Sequence, residues 1–182
     1  MRMSRRNPRK LAPVMANARL YPDATERFPD RRFDKDHILE IPGPAICERC
    51  HAFLMTDHWQ YDEQRYQKLH ARDDVKTTLC PGCSRVERRL YEGEVTVRHQ
   101  WDSVSKDDIV HLIHNTEARV RVANPTARIA VMEERDNEIY ILTTTQFLAE
   151  RIGKALYRAY KGKLVLKPLL RERFSRVWWE RE

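Results

Sequence analysis

Four cysteines, and no others, stand in two Cys-x-x-Cys pairs, Cys47-Glu-Arg-Cys50 and Cys80-Pro-Gly-Cys83, with 29 residues between them. Two intervening residues let the backbone turn both sulfurs toward one point. Four thiolates converging on a point suit a tetrahedral Zn2+ ion with Zn–S bonds of about 2.3 Å. Such a shell is closed: it leaves no position for substrate, and it stabilises a fold instead of performing chemistry. The expected cofactor is structural Zn2+, held by Cys47, Cys50, Cys80 and Cys83. The same spacing admits two disulfides, a dithiol redox pair at Cys80-Pro-Gly-Cys83, or a four-thiolate iron–sulfur centre. The opening Met1-Arg-Met-Ser-Arg-Arg6 has no apolar core of the kind a secretory signal carries. Reduced thiols in the cytoplasm are therefore expected, which disfavours disulfides. A redox pair is disfavoured by the missing strand–helix context around Cys80. His51 and His58 lie close in sequence, but with four thiols available they are expected to support the site or face solvent.

A chain of 182 residues implies one domain or two small ones, and 41% hydrophobic residues supply small cores instead of one large one. No run approaches the roughly 20 apolar residues that cross a bilayer, so no membrane association is expected. The pI near 9.4 and formal net charge of +7 point toward polyanionic partners. The distribution is sharper than the total. Residues 1–46 carry ten Lys/Arg against six Asp/Glu, residues 47–149 fourteen against seventeen, and residues 150–182 ten against four. Positive charge at both ends is what a protein gripping phosphates would carry; a solubilising tail plus a solvated helix face is the plainer explanation.

Residues 1–44 read as a basic arm, broken by Pro8, Pro13, Pro22 and Pro29, with Phe28 and Phe33 as anchors onto the body. Residues 45–100 read as a zinc-ribbon module, with a hairpin over residues 52–61, a short helix over residues 66–71 and a strand over residues 94–98. Residues 101–125 read as a linking helix that starts at the Ser105-Lys-Asp-Asp108 cap and stops at Asn124-Pro125. Residues 126–182 read as an α+β module: strands over 127–132 and 138–143, a helix over 146–160 capped by Thr145, then strands over 163–167 and 174–179. The expected fold is α+β: a four-cysteine zinc ribbon joined by a helix to a small antiparallel sheet covered by one helix.

Arg151, Lys154, Arg158 and Lys161 recur at helical spacing, and on a helix they form a stripe that can follow a phosphate backbone. With Arg5, Arg6, Arg9 and Lys10 of the arm they make up the expected nucleic-acid contacts, joined by Trp59, an aromatic beside the first knuckle that could stack on bases, and by Arg176, a cation among the aromatics Phe174, Trp178 and Trp179 that close the chain. An ordinary solvated helix face and a buried tryptophan are the competing readings. Because Trp178 and Trp179 are successive in a strand, they must face opposite sides of the sheet. The chain contains no Ser/His/Asp elbow, phosphate-binding glycine loop or His-Glu metalloprotease pattern, so no enzymatic activity is expected.

The segments Ile46-Cys-Glu-Arg-Cys50, Leu79-Cys-Pro-Gly-Cys83, Asn115-Thr-Glu117, Asn124-Pro125, and Leu142-Thr-Thr-Thr145 through Leu148-Ala-Glu-Arg-Ile-Gly-Lys-Ala-Leu156 carry a resemblance. The chain resembles a family of short, uncharacterised bacterial proteins with two Cys-x-x-Cys pairs and a C-terminal α+β module. That resemblance implies no particular activity. The cysteine layout is also similar to the zinc ribbon of the archaeal and eukaryotic large-ribosomal-subunit export adaptor family, which has further metal pairs and domains absent here. This second likeness implies ribosome association. The expected function is thus a zinc-stabilised RNA-binding protein on the ribosome, meeting ribosomal RNA and ribosomal proteins. The alternatives are a protein–protein or transcription-linked adaptor using the ribbon, and a thiol- or metal-responsive regulator.

Overall fold

The computed structural model describes residues 19–20, 41, 43–56, 58–99, 105–135, 137–169 and 173–181. The arm cations Arg5, Arg6, Arg9 and Lys10, and the anchors Phe28 and Phe33, lie outside these residues. In chain order the elements are β1 (Arg19–Leu20), β2 (Ala45–Ile46), β3 (Ala52–Leu54), β4 (Trp59–Tyr61), α1 (Glu63–His70), β5 (Lys76–Thr77), α2 (Pro81–Glu87), β6 (Gly93–His99), α3 (Lys106–Ala123), β7 (Ile129–Arg135), β8 (Glu138–Thr143), α4 (Gln146–Tyr160), β9 (Lys163–Leu169) and β10 (Phe174–Arg181). The class is mixed α+β, with two sheets and four helices among the described residues.

The larger sheet has six strands in the order β1-β9-β10-β6-β8-β7. It departs from the expected small antiparallel sheet in two ways. Strand β6, read from sequence as part of the metal module, lies near the sheet's middle, and it pairs with β10 in parallel, Val95 opposite Val177 and Val97 opposite Trp179. Its alternating valines announce a strand with one apolar face; they do not say which neighbour will cover that face. Residues 19–20, assigned to the arm, add the outermost strand by antiparallel pairing with Val165 and Leu166.

One face of this sheet is covered by both long helices. Leu148, Ile152 and Leu156 of α4 are fully buried against Val95, Ile139, Ile141 and Val177, and Ile109 and Ile113 of α3 join the same core. The segment expected to be a linker therefore contributes a wall of the core, and fully burying side chains of this size contributes about 1.5–3 kcal/mol each. Both helices start where the sequence places them: Ser105 Oγ accepts the Asp107 amide at 3.2 Å and Thr145 Oγ1 accepts the Leu148 amide at 3.3 Å. Close approach of α4 depends on Gly153, where a β-carbon would lie 2.5 Å from Val177 Cγ1. Trp179 is fully buried and donates its indole N–H to the Lys161 carbonyl at 2.7 Å, tying β10 to the end of α4. Trp178, on the opposite side of the strand, is half-buried.

The smaller sheet has four short strands in the order β4-β3-β2-β5. The expected hairpin is present as β3 and β4, paired from Ala52–Tyr61 to Leu54–Trp59. Helix α1 packs its Tyr66 and Leu69 on Ile46 and Phe53, which makes a separate small core. Helix α2 was not anticipated from the sequence. Pro81 at its first position has no N–H to satisfy and a suitable fixed φ, and Cys80 is its cap.

Candidate metal centre

The two cysteine pairs meet. Cys47 and Cys50 sit in the tight connection from β2 to β3, where the Cys47 amide donates to Ala52 O at 2.7 Å and the His51 amide donates to Cys47 O at 2.9 Å. Cys80 and Cys83 open α2, and the Cys83 amide points at Cys80 Sγ at 3.5 Å. All four Sγ atoms lie within 4.8 Å of one another, and Cys50 Sγ is 3.5 Å from Cys80 Sγ. A tetrahedron with bonds of about 2.3 Å requires sulfurs about 3.8 Å apart, so this spacing suits a metal ion. All four thiols are free of disulfides. Cys47, Cys80 and Cys83 are buried and Cys50 is half-buried.

The electrostatics lead to the same conclusion. Without a cation among them the thiols divide: Cys50 is held far below the ordinary thiol range by hydrogen bonds from Cys47, then Cys80 and Cys83. Cys80 and Cys83 are pushed far above it, first by their bonds to Cys47 and Cys50 and further by burial. Cys47 comes down to about 6, its bond with Cys50 opposing and its bonds with Cys80 and Cys83 favouring the thiolate. Four negative sulfurs repel one another strongly in so small a space, and a divalent ion among them would allow all four to deprotonate.

Tyr61 and Arg128 complete the surroundings. Tyr61 Oη lies 3.4 Å from Cys50 Sγ. The Tyr61 ring is flanked by Arg121 of α3 and Arg128, with guanidinium carbons 4.8 and 5.2 Å from its centroid. Arg128, only 6% exposed, directs Nη2 at Cys50 Sγ (3.4 Å) and Cys80 Sγ (3.7 Å). Burial draws its pKa below the usual value while the charges of Cys50 and Cys47 oppose that shift. Residues 127–132 read from sequence simply as a strand, and the one local signal for Arg128 is a single arginine at the head of an otherwise apolar run.

The histidines near the first pair do not approach the sulfurs as ligands. His51 stacks on Tyr66 with ring centroids 4.2 Å apart and bonds Glu63 at 3.0 Å, while His58 bonds Gln60 at 2.7 Å. The expected lack of helical context around Cys80 is also corrected, since Cys80 caps α2.

Among the described residues, the expected nucleic-acid contacts Arg151, Lys154, Arg158, Lys161, Trp59 and Arg176 do not form one surface. Arg151, Arg158 and Lys161 are exposed along α4. Lys154 leaves the stripe: it is buried, 3.8 Å from Glu150, whose carboxylate accepts the Ser175 hydroxyl at 3.2 Å. The half-buried Glu150 carboxylate, one helical turn earlier, favours a nearby ammonium and draws the Lys154 side chain away from solvent. Arg176 is exposed next to Val177, the residue α4 packs upon, so it faces the other side of the sheet, 3.8 Å from Glu94. Trp59 is half-buried and packs against the cysteine cluster. No helix among the described residues is long and apolar enough to cross a membrane. Comparison of the chain with protein-family models, curated proteins and solved structures finds no match.

Proposed function

We propose that this chain is a zinc-stabilised, cytoplasmic RNA-binding protein without catalytic activity, docking on the ribosome. The zinc reading is supported by four protein sulfurs at tetrahedral spacing, which fill a coordination shell and leave no place for substrate. The observation that carries the RNA reading is the set of exposed cations Arg151 and Arg158 on α4, Lys161 at its end and Lys163 at the start of β9. Each phosphate such a cation neutralises releases condensed counterions, so binding weakens steeply with salt. The similarity of the cysteine layout to a ribosomal export adaptor's ribbon supports the same partner.

The test is sedimentation of lysate through sucrose at low and high salt, with Arg151→Glu/Arg158→Glu beside the native chain. The native protein is expected in ribosomal fractions at low salt and the double variant outside them, with equal zinc content. Absence of the native protein from those fractions would sink the RNA reading. A thiol-responsive regulator is the second reading, favoured by Cys50, which is half-exposed and held below the ordinary thiol range first by its bond to Cys47. Rapid reaction of two thiols while metal stays bound would favour it.

A further inference from the structure

Arg128 is the least expected residue near the sulfurs. It enters β7 directly after the turn that ends α3, and its backbone is locked to the strand-to-helix corner. Its amide donates to Thr144 Oγ1 at 2.8 Å, and its carbonyl accepts the Thr144 amide at 2.9 Å. Nη1 donates to Ala127 O at 2.8 Å, which leaves Nη2 aimed at Cys50 and Cys80. No carboxylate of the described residues forms an ion pair with it; the nearest anionic partners are the sulfurs.

The second knuckle is pressed against the same turn. A β-carbon on Gly82 would lie 2.4 Å from Pro125 O and 3.1 Å from Arg128 Cγ. Cys80-Pro-Gly-Cys83 therefore sits on residues 125–128 with no room for a side chain between. Four thiolates around a divalent ion carry a net charge of −2, and a buried guanidinium without a carboxylate carries an uncompensated +1. Each is costly in a low-dielectric interior, and together they offset one another.

We propose that Arg128, supplied by the six-stranded sheet unit, is an outer-sphere positioning residue of the metal centre: its guanidinium neutralises part of the tetrathiolate charge and makes metal retention depend on docking of the 125–128 turn. This rests on the reading of the four cysteines as a divalent-metal site. Partners that donate to metal ligands change metal affinity by about 10–100-fold when removed. Donors to a thiolate also lower its charge density, so they shift sulfur-to-metal charge transfer and blunt the sulfur as a nucleophile.

The experiment uses the full chain as native, Arg128→Met and Arg128→Lys proteins, loaded with Zn2+ and competed against a chromophoric chelator, and in parallel loaded with Co2+ for absorption. Arg128→Met is expected to bind Zn2+ about 10–100-fold more weakly, to show a displaced sulfur-to-cobalt band, and to alkylate faster at Cys50. Arg128→Lys, which keeps the charge but not the fork, is expected to fall between the two. A merely structural role would alter thermal stability without moving the cobalt band. If Arg128→Met does not fold, Arg128→Lys decides, and native affinity with a native cobalt spectrum overturns the proposal. If the native chain takes up no stoichiometric Zn2+ or Co2+, the metal reading itself fails; native uptake unchanged in both variants defeats this inference alone.

Discussion

Individual residues in this protein are set largely by what surrounds them, and Glu117 illustrates the point. Its Oε1 accepts the Ile129 amide at 2.8 Å, which anchors β7 to α3. Burial raises its pKa, while the Ile129 bond and then the Arg121 and His114 charges pull it back less strongly. The folded state thus holds the proton more tightly than the unfolded chain. The resulting stability is fully present below the ordinary Glu pKa of about 4.3 and is lost as pH rises through the folded value. Glu117→Gln keeps an acceptor oxygen and removes the titration. The urea midpoint of Glu117→Gln, measured relative to the native chain, is expected to climb as pH rises from about 4.3 through the raised folded value. A difference that stays flat across that range would contradict the assignment. At this scale the cysteines were readable because a two-residue spacer constrains both sulfurs locally. Arg128 was not, because it meets Cys50 across 78 positions of chain.

Elements follow local rules more faithfully. The Ser105 and Thr145 caps, the Asn124-Pro125 stop and the α4 span all match their sequence signals, since caps and periodicity act within one or two turns. Asn124 Oδ1 accepts the Thr126 amide at 3.0 Å, the local bond that turns the chain out of α3 toward the metal centre. What local rules leave open is how closely elements approach. Gly153 is readable only as a weak point in a helix, yet a β-carbon there would meet Val177 Cγ1 at 2.5 Å and Leu164 Cδ1 at 2.9 Å. Gly153→Val is therefore expected to lift α4 from the sheet at a cost of about 1–3 kcal/mol. A lower urea midpoint with an unchanged m-value would establish the loss as one of stability alone. A native midpoint would show that the sheet has slack at that point.

At the scale of the whole molecule, the described residues form three packed clusters: the core between the large sheet and α3/α4, the small core under α1, and the cysteines with Trp59, Tyr61 and Leu79. The first buries by far the most apolar surface, and the other two bury little against the entropy of ordering their loops, so on the metal reading they are expected to depend on the bound ion. Chelation under reducing conditions is expected to strip amide protection from β2, β3 and β4 while β6, β8 and β10 stay protected, as hydrogen exchange would read. Simultaneous loss across both sheets would mean that the metal supports the entire fold. The sequence by itself determined the parts governed by neighbours along the chain: the converging cysteine pairs, the caps, the alternation of β6 and the opposite faces of Trp178 and Trp179. Tertiary structure alone decided that β6 pairs in parallel with β10, that α3 is core instead of linker, that Lys154 turns inward to Glu150, and that Arg128 reaches the sulfurs. These depend on pairings between distant segments, and an alternating strand or a helical stripe is equally compatible with several partners until burial of the whole core selects one.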